Sequence, residues 1–267
     1  MATVMIDGMR MYYAEHGTPD GPPLVLLHGF TGTGDFWSNQ LTAFGAHYRL
    51  LVPDLRLHGR TDNPGGLAAM NTRQFAHDII AFCRTLGIER AAFCGESTGA
   101  ILLLSLALEA PELAAACILT GGTHYFDDRV RTHLHQETPD NIDEGWRAIL
   151  QQEQHSAQGP DHWRSVIEAH AALGFHAHAE DFPEAEELRG IGAPVLMVHG
   201  DRDSFHPVED TLSLYRLLSD GELCVLPHTD HYPSAERPDW FNAIVLDFLA
   251  RRYIGTVAKN SEVPATT

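Results

Sequence analysis

The sequence is poor in positive charge. Its 267 residues include 18 lysines and arginines against 36 aspartates and glutamates, so the formal net charge is −18. Nucleic acids and anionic membrane surfaces both require basic patches, which argues against either partner for so acidic a chain. We therefore expect a small-molecule partner, with no nucleic-acid or membrane binding.

Cysteines and long apolar runs are also scarce. The four cysteines, Cys83, Cys94, Cys117 and Cys224, are dispersed, and three of them lie in apolar strand or helix patterns. Free thiols in such patterns behave as small buried hydrophobes, so no disulfide framework is expected. No segment reaches about 18 uninterrupted apolar residues, and the first ten residues lack the features of a signal peptide. These absences predict a cytoplasmic protein.

Strand and helix patterns alternate along the chain, which is typical of a largely parallel sheet flanked by helices. After an opening hairpin that turns at Asp7-Gly8, strands are expected near residues 24–28, 48–53, 91–95, 114–119, 193–199 and 222–226. Helices are expected near residues 35–45, 72–87, 98–110, 207–219 and 238–252. The segment 16–23 is rich in glycine and proline and is expected to be a loop.

The most informative motif is Gly95-Glu96-Ser97-Thr98-Gly99, between the strand pattern 91–94 and the apolar helix pattern 100–108. Glycines at both ends fit a turn so sharp that a Cβ would collide with neighbouring backbone. Such a turn exposes the serine hydroxyl and directs the first amides of the helix towards it. Ser97 is therefore predicted to be a nucleophile, the alternative being a serine that caps a tight turn.

A serine nucleophile needs a histidine to take its proton and a carboxylate to orient that histidine. The apolar strand pattern 193–200 ends in the polar loop 201–207, where a carboxylate would be well placed. The loop 227–233 comes after the next strand pattern and should carry the histidine. The candidates in these loops are Asp201, Asp203, His228 and His231.

These motifs, with His28-Gly29-Phe30 and the segment 54–60 after two earlier strands, resemble the α/β-hydrolase superfamily. The resemblance covers most of residues 1–253 and implies an α/β fold, a mostly parallel central sheet flanked by helices, with a helical cap insertion. The implied core comprises residues 1–122 and 189–254, and the implied cap residues 123–188. The segment 255–267 has small and polar residues without periodicity and is expected to be a disordered tail.

The resemblance implies Ser97 as nucleophile, Asp203 as acid and His231 as general base. In the family the acid usually stands three positions after the glycine that closes its strand, which favours Asp203 over Asp201. Asp201 is then expected to cap the loop.

The choice of histidine depends on the residues that come after it in the chain. A glutamate five positions on and a proline two later are usual in the family, and Glu236 and Pro238 favour His231 over His228. The residue before this histidine is usually glycine, and here it is Asp230. If the two side chains meet, the carboxylate should raise the pKa of His231 and move activity to a more alkaline medium.

The resemblance also implies an oxyanion hole formed by the backbone N–H groups of Phe30 and Thr98. His28 is expected to be a structural hydrogen-bonding residue beneath the Phe30 loop. Leu57 stands where glycine is common, so its loop is expected to have a modified conformation. That loop should be stabilised by Asp54, Arg56 and His58.

The expected activity is hydrolysis of a small carboxylic ester or lactone through an acyl-enzyme, without a cofactor. The residues expected to bind substrate are Phe30, Trp37, Glu96, His124, Trp146, Trp163 and Phe205. A C–C bond hydrolase, an aminopeptidase and a perhydrolase are alternatives on the same three residues, and a hydrolase-fold ligand-binding or signalling protein with little turnover is an alternative of another class. The sequence is compatible with a homodimer.

The 17 histidines raise the question of a metal site. The segments His133-Leu134-His135 and 176–181 are candidates, and the second is partly similar to the His-x-His-x-Asp-His signature of metallo-hydrolases. It lacks the aspartate at the fifth place and the closing histidine, and residues two apart on a helix do not face one site. No metal is therefore expected.

Overall fold

The structure is a computed structural model that describes residues 2–151, 156–176 and 182–254. At its centre, the described part of the chain forms an eight-stranded sheet in the order β1-β2-β4-β3-β5-β6-β7-β8. The strands are β1 (Ala2–Ile6), β2 (Met9–Gly17), β3 (Pro23–Leu27), β4 (Arg49–Pro53), β5 (Ala91–Glu96), β6 (Ala114–Thr120), β7 (Val195–Gly200) and β8 (Gly221–Leu226). The pairings from β4 through β3, β5, β6 and β7 to β8 are parallel, which confirms the mostly parallel sheet.

The first two strands form the predicted hairpin and are the antiparallel part of the sheet. Its turn residues Asp7 and Gly8 have φ of 45° and 81°, as a two-residue hairpin turn requires. Strand β2 continues to Gly17, where the sequence predicted a loop from residue 16 onwards. The extension is explained by pairing with β4, which provides hydrogen-bonding partners for His16 and Gly17.

Helices cover both faces of the sheet. The described helices are α1 (Ser38–Gly45), α2 (Thr72–Thr85), α3 (Thr98–Glu109), α4 (Asp128–Gln136), α5 (Glu144–Ile149), α6 (His162–His176), α7 (Ala185–Leu188), α8 (Val208–Leu217), α9 (Pro233–Glu236) and α10 (Pro238–Leu249). Phe75 of α2 and Leu102 of α3 belong to one hydrophobic cluster, and Phe44 of α1 and Phe241 of α10 belong to a second. The alternating strands and helices predicted from the sequence are thus confirmed.

Helices α4 to α7 lie in the segment that the sequence assigned to a cap. Part of this segment has a small core of its own, in which Trp163 and Ile167 pack with Ile142 and Leu150. Val166, on the same helix as Trp163, belongs instead to the larger cluster on the sheet. Helix α6 therefore joins the cap to the rest of the fold. The expected tail 255–267 lies outside the described residues.

The four cysteines are free thiols, and three of them are buried. Within residues 2–151, 156–176 and 182–254, no helix combines the length and hydrophobicity needed to cross a membrane.

Candidate active site

Ser97 lies at a sharp turn between β5 and α3, with φ of 51° and ψ of −114°. The two flanking glycines are required by contacts that leave no room for a side chain. A Cβ on Gly95 would lie 2.2 Å from the carbonyl oxygen of Gly99, and one on Gly99 would lie 2.3 Å from that of Leu27. The strained backbone at Ser97 is thus imposed by close packing of β3, β5 and α3, and it projects the hydroxyl from the end of the sheet.

The fold brings Ser97, His231 and Asp203 together from three separate segments. The Oγ atom of Ser97 is 3.1 Å from Nε2 of His231. On the other edge of the ring, Nδ1 of His231 is 2.9 Å from Oδ2 and 3.1 Å from Oδ1 of Asp203. With Nδ1 donating to a carboxylate, Nε2 is the acceptor for the serine hydroxyl. This arrangement can take a proton from Ser97.

Asp203 is held as a carboxylate although its side chain is fully buried. Burial alone raises its pKa, but the hydrogen bond and charge of His231 outweigh burial, so the pKa lies below its usual value. Its Oδ1 atom also accepts hydrogen bonds of 2.8 Å from the backbone amides of Phe205 and His206. These amides fix the orientation of the carboxylate towards His231.

Asp201 and His228, the other candidates for the acid and the base, make different contacts. Asp201 accepts a 3.1 Å hydrogen bond from the backbone amide of Thr229, as expected of a residue that caps a loop. His228 is exposed and has a φ of 55°, and its carbonyl oxygen accepts a hydrogen bond from Arg237. The structure therefore places Asp203 and His231, rather than Asp201 and His228, beside Ser97.

The Asp230 side chain is directed towards the loop after β7 and not towards the His231 ring. Its Oδ1 atom accepts a 2.7 Å hydrogen bond from the backbone amide of Ser204. Glu236 accepts hydrogen bonds from the backbone amides of Asp230 and Tyr232, the two neighbours of His231. The two carboxylates thus hold the histidine loop through backbone contacts.

The Phe30 loop lies directly against Ser97. A Cβ on Gly29 would be 3.2 Å from the Cβ atom of Ser97. His28 is fully buried, and burial lowers its pKa, so the ring is neutral. Its Nδ1 contacts the carbonyl oxygen of Gly29 at 2.7 Å and its Nε2 accepts from the amide of Leu55 at 2.9 Å. His28 therefore fixes this loop, as expected from the sequence.

Thr98 is the first residue of α3, and the first amides of a helix have no acceptor within it. This amide and the Phe30 loop flank Ser97 on two sides. Both are available positions for an oxyanion donor, which is the role expected from the sequence.

The segment after β4 is held by the polar residues that the sequence singled out. Asp54 accepts hydrogen bonds from the amides of Gly34 and Arg60, and Arg56 forms a buried pair of hydrogen bonds with Asp78 at 2.7 and 2.8 Å. His58 accepts from the amide of Thr31.

Leu57 has a φ of 72°, in the left-handed region that glycine adopts without steric cost. The modified conformation expected for its loop thus takes the form of a strained leucine at a glycine-like position.

A small cavity of about 40 Å³ lies between Ser97, His231 and the cap. Of the residues expected to bind substrate, Phe30, Trp146 and Phe205 line it. A site of this size has room for about three water molecules. The free space beside Ser97 in the described conformation is therefore small.

The other four residues expected to bind substrate do not line this cavity in the described part of the chain, which corrects that prediction. Trp37 is fully buried and packs near Phe241, because the segment before α1 turns its ring towards α10. Trp163 belongs to the small core of the cap. Glu96 points into the fold and accepts a hydrogen bond from Ser234. His124 packs against Tyr125.

Two further histidines line the cavity, and neither was identified from the sequence. His206 is 3% exposed, and burial together with the charge of His231 lowers its pKa to about 3, so its ring is neutral. His170 of α6 pairs with Glu137 at 2.6 Å. His206 lies in the loop that carries Asp203, and this position in the sequence could have identified it as a residue of the site. No local motif distinguishes His170 from the other histidines of the chain.

Within the described ranges, there is no group of three or more histidine, cysteine, aspartate or glutamate side chains that could hold a metal ion. His133 pairs with Glu137 instead. Of the candidate segment 176–181, residues 177–181 lie outside the described residues.

Comparison with known proteins agrees with this architecture. A family model described as alpha/beta hydrolase fold matches residues 22–164. The "Putative carbamate hydrolase RutD" of Agrobacterium fabrum is 27% identical over 262 residues, covering 90% of this chain and 98% of that protein. A non-heme chloroperoxidase of Streptomyces lividans is 27% identical over 270 residues, covering 91% of this chain and 97% of that protein.

Among solved structures, an enol-lactonase of Burkholderia xenovorans superimposes with a TM-score of 0.76 at 21% identity, covering 93% of this chain and all of that one. The chain belongs to the α/β-hydrolase fold family. It is an α/β hydrolase with hydrolases among its relatives.

Proposed function

We propose that this protein is a serine hydrolase that cleaves a small carboxylic ester or lactone. In this proposal Ser97 is the nucleophile, His231 the general base and Asp203 the residue that orients the base. The observation that carries it is the 3.1 Å contact between Oγ of Ser97 and Nε2 of His231. A serine hydroxyl is a weak nucleophile at neutral pH unless such a base is adjacent.

The reaction would proceed by acyl transfer. His231 takes the proton of Ser97 as the oxygen attacks the carbonyl carbon, and the amides of Phe30 and Thr98 stabilise the tetrahedral oxyanion. Each such donor commonly contributes about 3 kcal/mol to lowering the barrier. His231 then gives the proton to the leaving alkoxide, and water, activated by the same histidine, releases the acid and restores Ser97.

The relatives support an acyl carbonyl as the target. A carbamate, the group in the name of the first relative, has a carbonyl bonded to oxygen and nitrogen, and a lactone is a cyclic ester. The chloroperoxidase name keeps the perhydrolase alternative open. A panel of p-nitrophenyl esters, lactones and carbamates, each assayed with and without hydrogen peroxide, separates these possibilities.

The decisive test compares Ser97→Ala with Ser105→Ala. Ser105 is a good control because it is a buried serine on α3, the helix that follows Ser97, and its hydroxyl has no hydrogen-bond partner within the described residues. Ser97→Ala should reduce p-nitrophenyl butyrate turnover about a thousand-fold or more, while Ser105→Ala retains it. Circular dichroism checks that both variants are folded. Full turnover by folded Ser97→Ala would disprove the proposal.

Fluorophosphonate labelling addresses the alternative of a ligand-binding protein. An activated Ser97 should be modified stoichiometrically, and peptide mass mapping should locate the label at that residue. An unlabelled Ser97 in a protein that binds small ligands would favour the binding alternative.

A further inference from the structure

We propose that His170, held by Glu137, determines substrate preference at this site by binding an anionic oxygen group, such as a carboxylate, on the acyl part of the ester or lactone. The inference rests on the proposed function, because it concerns the same cavity. It names a class of substrate that neither the fold nor the relatives specify.

His170, which lines the cavity, forms a second histidine–carboxylate pair with Glu137 behind it. Nδ1 of His170 is 2.6 Å from Oε2 of Glu137, and the two side chains are 13% and 11% exposed. The other carboxylate oxygen of Glu137 is 3.3 Å from Nε2 of His133. Glu137 comes directly after α4 and His170 lies on α6, so two cap helices together fix the ring of His170.

The ring of His170 is oriented by its neighbours. It stacks on Phe30, with ring centroids 4.9 Å apart and an angle of 16° between the planes. Because Nδ1 faces Glu137, Nε2 lies on the opposite edge of the ring. Within the described ranges, no protein group forms a hydrogen bond with Nε2, and the residue lines the cavity with Ser97 and His231. This nitrogen is therefore the polar atom that a substrate could meet.

Glu137 places a negative charge beside the ring of His170. Burial raises the pKa of Glu137, but His170 and His133 outweigh burial, so the pKa lies below its usual value and the side chain is a carboxylate. A carboxylate on one edge of an imidazole ring stabilises the positive charge that the ring carries when its other edge donates to an anion. A neutral ring that donates from Nδ1 to Glu137 can only accept at Nε2. A hydrogen bond from Nε2 to a substrate carboxylate therefore uses the doubly protonated ring, whose positive charge Glu137 stabilises.

The rest of the cavity offers no competing cation. Among the described lining residues there is no lysine, arginine, aspartate or glutamate. His206 also lines the cavity, but its low pKa keeps it neutral. The other histidines of the described lining are His231, which the reaction uses, and His170.

The test compares two substrates of similar size, mono-p-nitrophenyl glutarate and p-nitrophenyl valerate, the first of which carries a carboxylate. We expect the wild type to have a kcat/KM for the glutarate ester about tenfold or more above that for the valerate ester, as one charge-assisted hydrogen bond allows. His170→Gln and Glu137→Gln should each reduce this ratio about tenfold or more. The Glu137→Gln change keeps a hydrogen-bond acceptor for Nδ1 of His170 but removes the charge.

His77→Gln is the control, because His77 pairs with a different carboxylate, Glu109, from an exposed position and does not line the cavity. It should change the ratio less than about twofold. A ratio that is unchanged in His170→Gln, with both esters slowed equally, would assign His170 a structural role and overturn the inference. A wild type that prefers the valerate ester would overturn it as well.

A binding measurement separates this inference from the proposed function. Ser97→Ala should bind monomethyl glutarate about ten times more tightly than methyl valerate, by calorimetry, whether or not the wild type turns over esters. If the wild type hydrolyses valerate esters but Ser97→Ala binds the two ligands equally, the selectivity inference fails alone. If Ser97 is not labelled and no ester is cleaved, the proposed function fails, and the calorimetric preference still tests His170.

Discussion

Ser234 donates a 2.8 Å hydrogen bond to Oε2 of Glu96, and this contact joins the residue before Ser97 to the segment after His231. Glu96 is fully buried, and its Oε1 atom has no hydrogen-bond partner within the described residues. The backbone carbonyl of Ser234 in turn accepts a 2.9 Å hydrogen bond from Gln40. A buried side-chain network therefore lies directly beneath the proposed nucleophile and base.

The first prediction concerns the pH dependence of stability at Glu96. Burial raises the pKa of this side chain well above its usual 4.5, with the charges of Asp203 and Glu236 acting in the same direction. Well below pH 4.5 the carboxyl is protonated in both states and adds no pH dependence to stability. As the pH rises, the unfolded chain ionises first, so stability is lost until the folded pKa is reached.

Glu96→Gln removes this loss because the amide does not ionise. The free energy of unfolding of Glu96→Gln, measured with urea from pH 4 to 8, should increasingly exceed that of the wild type as the pH rises. Glu112→Gln serves as control, because Glu112 lies in an exposed ion pair with Arg84. A wild type and Glu96→Gln variant with parallel profiles would show that Glu96 is ionised in the folded protein.

The second prediction tests the strained backbone of Leu57, which is also buried. Any truncation loses apolar contacts, about 2 to 5 kcal/mol for leucine to alanine. A glycine relieves the left-handed strain and an alanine does not, which is worth about 1 kcal/mol or more. Leu57→Gly should therefore unfold at a higher urea concentration than Leu57→Ala. At Leu51, in the regular strand β4, the same pair of changes should give the opposite order.

The third prediction concerns the hydrogen bond between Asp230 and the amide of Ser204. Asn at position 230 can accept the same bond, so Asp230→Asn should leave the midpoints of the kcat/KM profile within about half a pH unit of the wild type. Asp203→Asn removes the carboxylate that contacts His231 and should reduce kcat/KM by about a thousand-fold or more at every pH tested. A large alkaline or acid shift in Asp230→Asn would show that this carboxylate does reach His231.

The fourth prediction concerns an attachment of the cap to the loop after β4. Gln158 donates hydrogen bonds to the carbonyl oxygens of Gly59 and Thr61 at 3.0 and 2.9 Å, and Nε2 of His162 contacts that of Leu57 at 2.6 Å. Gln158→Ala should increase amide hydrogen exchange in α6 without changing exchange in the central strands. The exposed Glu168, on the same helix, provides the control Glu168→Ala, which should leave exchange in α6 unchanged.

The elements of the fold and the residues around Ser97 could be predicted from local rules of backbone geometry. The strand pattern before Gly95 and the helix pattern after Gly99 predict a sharp turn between them. Such a turn leaves no room for a side chain at either glycine. The choice of Asp203 over Asp201 depended on the resemblance to a family, because both loop positions are polar and only the folded loop shows which one turns inwards.

The pocket could not be predicted in the same way. Trp37 comes shortly after the Phe30 loop in the sequence, and Trp163 lies within the expected cap. The ring of each nevertheless packs into a core that forms only when distant segments come together. His170 and Glu137 meet across two cap helices, and the residues between them carry no spacing rule that predicts the contact. Side-chain direction in the cap depends on tertiary packing, which sequence patterns do not encode locally.

The cavity of about 40 Å³ beside Ser97 is bounded partly by the helices of the cap. Val130 and Leu134 of α4 and His170 and Leu173 of α6 form part of its wall, so separation of these helices from the core would widen it for entry of the substrate and departure of the acid. Slow separation would make release, rather than bond cleavage, limit the rate for a good substrate. Solvent viscosity would then slow good substrates more than poor ones.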